Sequence, residues 1–195
     1  ALEANLLAGG VDYIPGEAGL TLDQVIALEQ RHPLRFHYVY KSTTSYSHFD
    51  ANLDHPALKD RRVRQALLLA SDRDAIARQI YGGKVVLAHT SVNHLQWMAV
   101  SDVKKYPFDP AAAERLLDEA GWSRIEGGIR HNAAGERLSF TIASVAGIKT
   151  NELIVSVLAA QWRQVGVDAR IRGQPARVFF GDTLQRRKFD GLAFF

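Results

Sequence analysis

Residues 138–172 read LSFTIASVAGIKTNELIVSVLAAQWRQVGVDARIR, and this stretch decides the fold class. Its two ends, 138–142 and 167–172, are rich in apolar and β-branched residues and predict strands. The middle predicts a helix that begins at Asn151, because apolar side chains recur there at helical spacing: Ile154, Val157, Leu158, Trp162 and Val165.

A helix over 175–187 and a strand over 189–195 are predicted to follow this stretch. Strands that alternate with helices are typical of parallel βαβ crossovers, so the sequence predicts an α/β fold built on a sheet. Residues 127–130 and 138–142, which flank a turn containing Asn132 and Gly135, also predict a small β-hairpin.

Three helix starts upstream carry capping signals. Asp60 precedes a helix whose apolar residues recur every three or four positions: Val63, Ala66, Leu67 and Ala70. Ser71 with Asp74 predicts the start of the next helix. Asp109 and Pro110 predict the start of a third, because aspartate caps a helix and proline suits its first position.

The first fifty residues predict a mixed arrangement. A helix ends at Gly9, and residues 11–14 predict a short strand. Residues 21–24 form a capping-box pattern that starts another helix. Aromatic and β-branched residues then predict strands over 34–40 and 46–52.

The composition is that of an ordinary globular protein. Of 195 residues, 47% are hydrophobic and 23% are charged, which excludes disordered and coiled-coil classes. The chain has no cysteine, so disulfides, thiolate catalysis and cysteine-ligated zinc are excluded. It opens in a helical pattern and closes in a strand pattern, so we expect it to be a fragment of a longer protein.

No residue pattern indicates catalysis, a metal or a cofactor. The histidines lack the spacing of a zinc site: His32, His37, His48, His55, His89, His94 and His131. Phosphate-binding glycine loops and serine nucleophile elbows are also missing from the sequence. The net charge of +3 is too small to indicate nucleic-acid binding.

An ordered set of motifs nevertheless resembles family 5 of the extracellular solute-binding proteins, the receptors of ABC importers for peptides, dipeptides and nickel. The most recognisable pieces are NLDHPALKDRRVRQAL (52–67) and ASDRDAI (70–76). Weaker pieces follow and precede them in the same order as in the family: AGGVDY (8–13), YPFDPAAA (106–113), LLDEAGW (116–122), GGIR (127–130), GERL (135–138), QW (161–162), VGVD (165–168) and FD (189–190).

The resemblance implies a lobe of the type II periplasmic-binding-protein fold, with a mixed sheet flanked by helices. Such receptors are two-lobed and close on a solute between the lobes. Residues 1–38 are expected to be the tail of the first lobe and the crossover. Residues 39–195 are expected to form the second large lobe, truncated at its C-terminal end, and the N-terminal lobe is expected to be missing.

The implied function is non-enzymatic. The resemblance implies capture of a peptide-like or other small-molecule solute and its delivery to an ABC permease in the inner membrane, with no cofactor and no nucleic acid. The implied location is the periplasm, or the cell exterior as a membrane-anchored lipoprotein in a Gram-positive host.

Five residues are candidates for the solute-facing wall: Tyr46, His48, Asn93, Gln96 and Trp97. The last three fall in residues 85–106, which predict mostly loop. Two of these residues have an alternative structural role, because buried aromatic side chains dominate packing. Tyr46 is alternatively a half-buried strand residue, and Trp97 is alternatively a core residue. Relatives usually have prolines in the loop that corresponds to 91–100, whereas residues 91–100 of this chain include no proline.

Three other functions remain open from the sequence. Because the chain contains seven histidines, a receptor for a metal chelate or for heme is an alternative within the same family. A regulatory sensor or interaction module could use the same fold, because fold alone does not determine function. An uncharacterised hydrolase is a more distant alternative.

Overall fold

Strand β4 (Ser139–Val145) lies inside a four-stranded mixed sheet of order β1-β6-β4-β5. In this computed structural model, which describes residues 1–16 and 19–195, β4 pairs in parallel with β5 (Asp168–Gln174) and with β6 (Gly191–Phe194). Strand β1 (Phe49–Ala51) pairs antiparallel with β6. The predicted α/β class is therefore confirmed, and the antiparallel β1 makes the sheet mixed.

The other elements are mainly helices. They are α1 (Leu2–Leu7), α2 (Leu22–Arg31), α3 (Pro56–Lys59), α4 (Arg61–Leu69), α5 (Arg73–Gln79), α6 (Pro110–Glu119), α7 (Lys149–Gln164), α8 (Ala176–Val178), a π-helix (Phe179–Leu184), and the hairpin strands β2 (Arg124–Glu126) and β3 (Ile129–His131). No helix in the described ranges is both long and apolar enough to cross a membrane.

Two compact units divide the described residues. The first comprises 1–42 and 76–86, and the second comprises 43–75 and 87–195. The sheet and its covering helices α4, α6 and α7 lie in the second unit.

Trp162 of α7 is a buried core residue of the second unit. Its indole nitrogen donates to the Leu67 carbonyl and to the Ser71 hydroxyl, both at 3.0 Å. Its ring lies 5.5 Å from the ring of Phe49 and 6.2 Å from that of Phe140, centroid to centroid. One buried side chain thus ties α7 to the end of α4 and to two strands, and its polar group is satisfied.

The hairpin predicted between 127–130 and 138–142 is present only at its closed end, where the Leu138 N–H donates to the Arg130 carbonyl at 2.8 Å and His131 forms an antiparallel bridge with Arg137. Gly127 and Gly128, at φ of 58° and 74°, form the turn between β2 and β3. Both have positive φ, as the tight hairpin turn requires. Strand β4 itself pairs elsewhere, because β5 and β6 occupy its two edges.

The strands predicted over 11–14 and 34–40 are also wrong, because neither stretch belongs to a ladder in the described structure. Tyr38 and Tyr40 instead fold back on α2. The Tyr38 hydroxyl donates to the His32 carbonyl at 3.1 Å, and the Tyr40 hydroxyl donates to Glu29 at 2.8 Å. Burial, followed by this bond to Glu29, raises the pKa of Tyr40 to about 12.

Other predicted elements change in length. The predicted strand over 46–52 is confined to β1, and the helix predicted over 175–187 is a short α-helix continued by the π-helix. Helix α5 is capped by Asp72, whose carboxylate accepts the Ala75 amide at 2.8 Å, and not by Ser71. The Ser71 hydroxyl donates to the Leu67 carbonyl at 2.6 Å instead.

Asp60 caps α4 as the sequence predicts. Its carboxylate accepts the backbone N–H of Arg62 at 2.8 Å and the guanidinium of the same residue at 2.6 Å. That guanidinium also donates to the Glu119 carbonyl at the end of α6, at 2.6 Å. The inner positions Val63, Ala66 and Leu67 are buried.

We expect Asp60→Ala to lower the free energy of unfolding by roughly 0.5–2 kcal/mol at pH 7, because an N-cap is lost. The matched control is Asp54→Ala, since Asp54 is exposed and caps no helix. Chemical denaturation of the two variants and the wild-type chain measures the difference.

The difference in unfolding free energy between the wild-type chain and Asp60→Ala depends on pH and decreases in acid. The hydrogen bond from Arg62 lowers the pKa of Asp60, so the stabilisation is present above the unfolded-state pKa of about 3.9. It is lost as the pH falls through the lower folded-state pKa. Equal stability of Asp60→Ala and Asp54→Ala at pH 7 would contradict the capping role.

Candidate functional site

The carboxyl ends of β4, β5 and β6 meet at one edge of the sheet, because the three strands run parallel. Strand β1 runs the other way, so the chain enters it from this edge. We call this end of the sheet, formed by His48, Ser144, Val145, Gln174 and Phe195, the carboxyl edge. In open α/β sheets the corresponding edge is where ligands bind.

His48 is placed at the carboxyl edge by backbone pairing. Its N–H donates to the Phe195 carbonyl at 3.1 Å, and the Phe195 N–H donates to the His48 carbonyl at 3.4 Å. The antiparallel pairing therefore extends one residue pair beyond β1 and β6. The His48 Nε2 atom lies 3.5 Å from the Asp50 carboxylate.

Aromatic rings continue outward from His48 in both directions. The Tyr46 ring lies 4.8 Å from the imidazole, and the Phe195 ring lies 4.4 Å from it on the other side. Phe195 in turn contacts Phe179 and Phe180 of the π-helix, at 6.0 and 6.3 Å. We call these five rings the aromatic row. Its outer members, Tyr46 and Phe180, are 36% and 48% exposed.

Three buried side-chain polar atoms in the described part of the chain have no hydrogen-bond partner, and all three lie at the carboxyl edge. They are His48 Nδ1, Ser144 Oγ and Gln174 Oε1. Ser144 is the penultimate residue of β4, and Gln174 is the last residue of β5. An unsatisfied buried polar group is costly, so each of these atoms calls for a partner such as a water molecule or a ligand.

Asn93 and Gln96 form a turn within the loop 85–106. The backbone N–H of Asn93 donates to the side-chain oxygen of Gln96 at 3.0 Å, and the backbone N–H of Leu95 donates to the side-chain oxygen of Asn93 at 2.9 Å. The Asn93 side chain also donates to the Thr43 carbonyl at 3.0 Å. This bond attaches the loop to the segment that leads to Tyr46.

The candidate residues therefore fall into two linked groups. Tyr46 and His48 belong to the aromatic row, and Asn93 with Gln96 holds the loop next to Thr43. Trp97 projects from the same loop and is 91% exposed, so its alternative as a core residue is wrong. Tyr46 lies outside β1, so its alternative as a strand residue is also wrong.

The sequence reasoning missed Ser144, Gln174 and Phe180. Two of them carried a signal, because Ser144 and Gln174 are polar residues that each lie two positions beyond a predicted strand, 138–142 and 167–172, where parallel strands place binding residues. Phe180 carried none, since its position depends on the π-helix.

In residues 1–16 and 19–195 no group of three or more histidine or acidic side chains is arranged to hold a metal ion.

Comparison with protein families gives a match over nearly the whole chain. The model of "Bacterial extracellular solute-binding proteins, family 5 Middle" matches residues 1–193. The chain belongs to this family. Its members are substrate-binding proteins and not enzymes.

Individual relatives agree with the family assignment. The oligopeptide-binding protein AppA of Bacillus subtilis is 31% identical over 128 residues, which is 65% of this chain and 24% of AppA. The dipeptide-binding protein of Escherichia coli is 31% identical over 137 residues, which is 70% of this chain and 23% of the relative. The chain thus spans about a quarter of the length of these relatives.

Solved structures confirm the type II periplasmic-binding-protein fold. The Thermus thermophilus oligopeptide-binding protein with a pentapeptide aligns with 100% of this chain and 35% of its own, at a TM-score of 0.81 and 27% identity. AppA with a nonapeptide aligns with 99% of this chain and 38% of its own, at 0.79 and 26%. NikA of Brucella suis with Fe(III)-EDTA, at 24% identity and 0.79, shows the shared fold alone.

The exposure of the three tryptophans predicts a simple fluorescence result. Trp97 is 91% exposed, whereas Trp122 and Trp162 are 7% and 2% exposed. We expect iodide to quench a single tryptophan component, and we expect Trp97→Phe to remove that component. Trp122→Phe is the control that keeps it. Quenching of the Trp97→Phe variant would contradict the burial of Trp122 and Trp162, and a wild-type chain that iodide does not quench would contradict the exposure of Trp97.

Proposed function

We propose that this chain supplies one wall of the solute site of an ABC-importer receptor, at the carboxyl edge of its sheet. The observation that carries the proposal is the coincidence, on one face of this edge, of the aromatic row with the unpaired His48 Nδ1 and Gln174 Oε1 atoms. Exposed ring faces can contact apolar groups of a solute, and the polar atoms can accept or donate hydrogen bonds to it.

The solute in this proposal is peptide-like. An extended peptide offers backbone N–H and carbonyl groups along its whole length, which suits an edge with both unpaired donors and acceptors. Relatives named as oligopeptide- or dipeptide-binding proteins are 31% identical to this chain. Structures named for nickel or iron chelates are 24% identical and support only the fold.

The domain organisation follows from the same proposal. Residues 1–38 end the first lobe and cross over, and residues 39–195 form the second lobe up to its last segments. The boundary between the two compact units after residue 42 supports this division, although residues 76–86 pack in the first unit. In this proposal the chain acts together with the rest of the receptor and with a membrane permease. Its proposed location is outside the cytoplasm.

The aromatic row can be tested in the complete receptor. We expect Tyr46→Ala to weaken solute binding about tenfold, because a ring face at a binding surface contributes on the order of 1 kcal/mol or more. The melting temperature should change little, since Tyr46 is 36% exposed. Calorimetry with a pool of di- to hexapeptides measures binding.

The matched control is Tyr13→Ala, which removes a tyrosine that is 76% exposed in the first unit. Equal affinity of the two variants would contradict a role for the aromatic row. Binding of nickel–histidine but of no peptide would instead support the metal-chelate receptor.

A further inference from the structure

A second concave site lies in the second unit, apart from the aromatic row. It is an open cavity of about 220 Å³ whose basic lining residues are Arg73, His89 and Lys105 and whose acidic lining residue is Asp74. Its apolar lining comes from Leu87, Pro107 and Phe108. None of the five solute-wall candidates lines it.

Arg73 is held in a fixed orientation at this cavity. Its guanidinium donates to the Ala88 carbonyl at 2.9 Å and to the Tyr106 carbonyl at 3.5 Å, and it lies 3.4 Å from His89 Nδ1. A guanidinium has five N–H donors, so at least two remain for a ligand. A preoriented guanidinium is well suited to bind an oxyanion.

In the described part of the chain, the basic side chains of the cavity form no ion pair. Within the described ranges, no carboxylate lies within 4.0 Å of a charged nitrogen of Arg73, His89 or Lys105. Asp74 is the acidic residue of the lining. Partial desolvation, followed by the charges of Arg73 and Lys105, lowers the pKa of His89. The contribution of Arg73 and Lys105 to this shift reflects their positive charge, which Asp74 partly offsets.

Tyr106 also lines the cavity, and its hydroxyl lies among groups that do not line the cavity. A hydrogen bond from Gln65 and the nearby charge of Lys104 lower the pKa of the Tyr106 hydroxyl. The chain as a whole has a net charge of only +3, so the concentration of basic groups at the cavity is a local feature.

The cavity also joins the two ends of one loop. Leu87 and His89 lie at the start of the loop 85–106, and Lys105 lies at its end. An anion that contacts both His89 and Lys105 would therefore bridge the base of the loop. This is the loop that presents Asn93, Gln96 and Trp97.

We propose that this cavity binds a small oxyanion, a phosphate or a carboxylate, through Arg73, His89 and Lys105, and that the bound anion orders the loop above it. The ligand's apolar part, where it has one, lies against Leu87, Pro107 and Phe108. This site does not depend on which solute the carboxyl edge binds.

The test is a titration of the isotopically labelled chain, followed by NMR. Inorganic phosphate and acetate are added separately, and sodium chloride at equal ionic strength is the control for screening. We expect saturable shifts of the amides of His89 and residues 105–108, together with slower hydrogen exchange at residues 93–98. The anion that binds more tightly identifies the preferred ligand as phosphate or carboxylate.

Adjacent lysines supply a matched pair of variants. Lys105 lines the cavity, whereas Lys104 lies over the Tyr106 ring and does not. We expect Lys105→Gln to weaken anion binding roughly three- to fivefold, the size of a partly exposed ion pair, and Lys104→Gln to change it less than about twofold. Both side chains are exposed, so neither variant should unfold the chain.

A second readout is the imidazole of His89, which is faced by Arg73, Lys105 and Asp74. A bound anion offsets the two cations, so saturating phosphate or acetate should raise the pKa of His89. Equal responses to chloride and to both oxyanions, or equal losses in the Lys104 and Lys105 variants, would overturn the proposal.

Discussion

Strand β6 lies between β1 and β4, and its backbone hydrogen bonds join β1 to the rest of the sheet. It pairs residues 192–194 with residues 49–51, which are far away in the sequence. All four of its residues are buried. This position requires Gly191, at φ 120°, because a Cβ there would lie 2.4 Å from the Thr141 carbonyl oxygen. Only glycine accepts both this φ and such a close backbone approach.

The carboxyl edge depends on this placement of β6. Phe195 continues from β6 and pairs with His48, so the rings on either side of this pair form a continuous aromatic row. The parallel register also places the ends of β4 and β5 beside it, with the unpaired Ser144 and Gln174 atoms. One strand thus assembles a surface whose residues come from four separate parts of the chain.

Much of the fold could be predicted from local signals. Asp60 and Asp109 cap helices as expected, because a short side chain before an apolar stripe satisfies free N–H groups locally. The pairing partners of the strands were harder to predict. Residues 138–142 have the pattern of one half of a hairpin, but β4 pairs with strands that lie 29 and 50 residues further along the chain. Residues 34–40 had strand-like composition, yet their tyrosines bond to α2. Both outcomes depend on contacts between distant residues, which a local pattern does not contain.

The candidate site, like the fold, could be predicted only in part from the sequence. Tyr46 and His48 could be named from the family resemblance, whereas Ser144 and Gln174 became visible only when the strands were aligned in register. The cavity at Arg73 brings together residues 71–74, 87–89 and 105–108, so no single motif in the sequence indicates it.

The placement of β6 is tested most directly by comparing Gly191→Ala with Gly181→Ala in chemical denaturation. Gly181 lies in the π-helix, and nothing within 4 Å would meet its added Cβ. The account predicts that Gly191→Ala loses at least about 2 kcal/mol of unfolding free energy through backbone strain and overlap. Gly181→Ala should stay within about 1 kcal/mol of the wild-type chain. A Gly191→Ala variant as stable as the wild type would contradict the central role of β6.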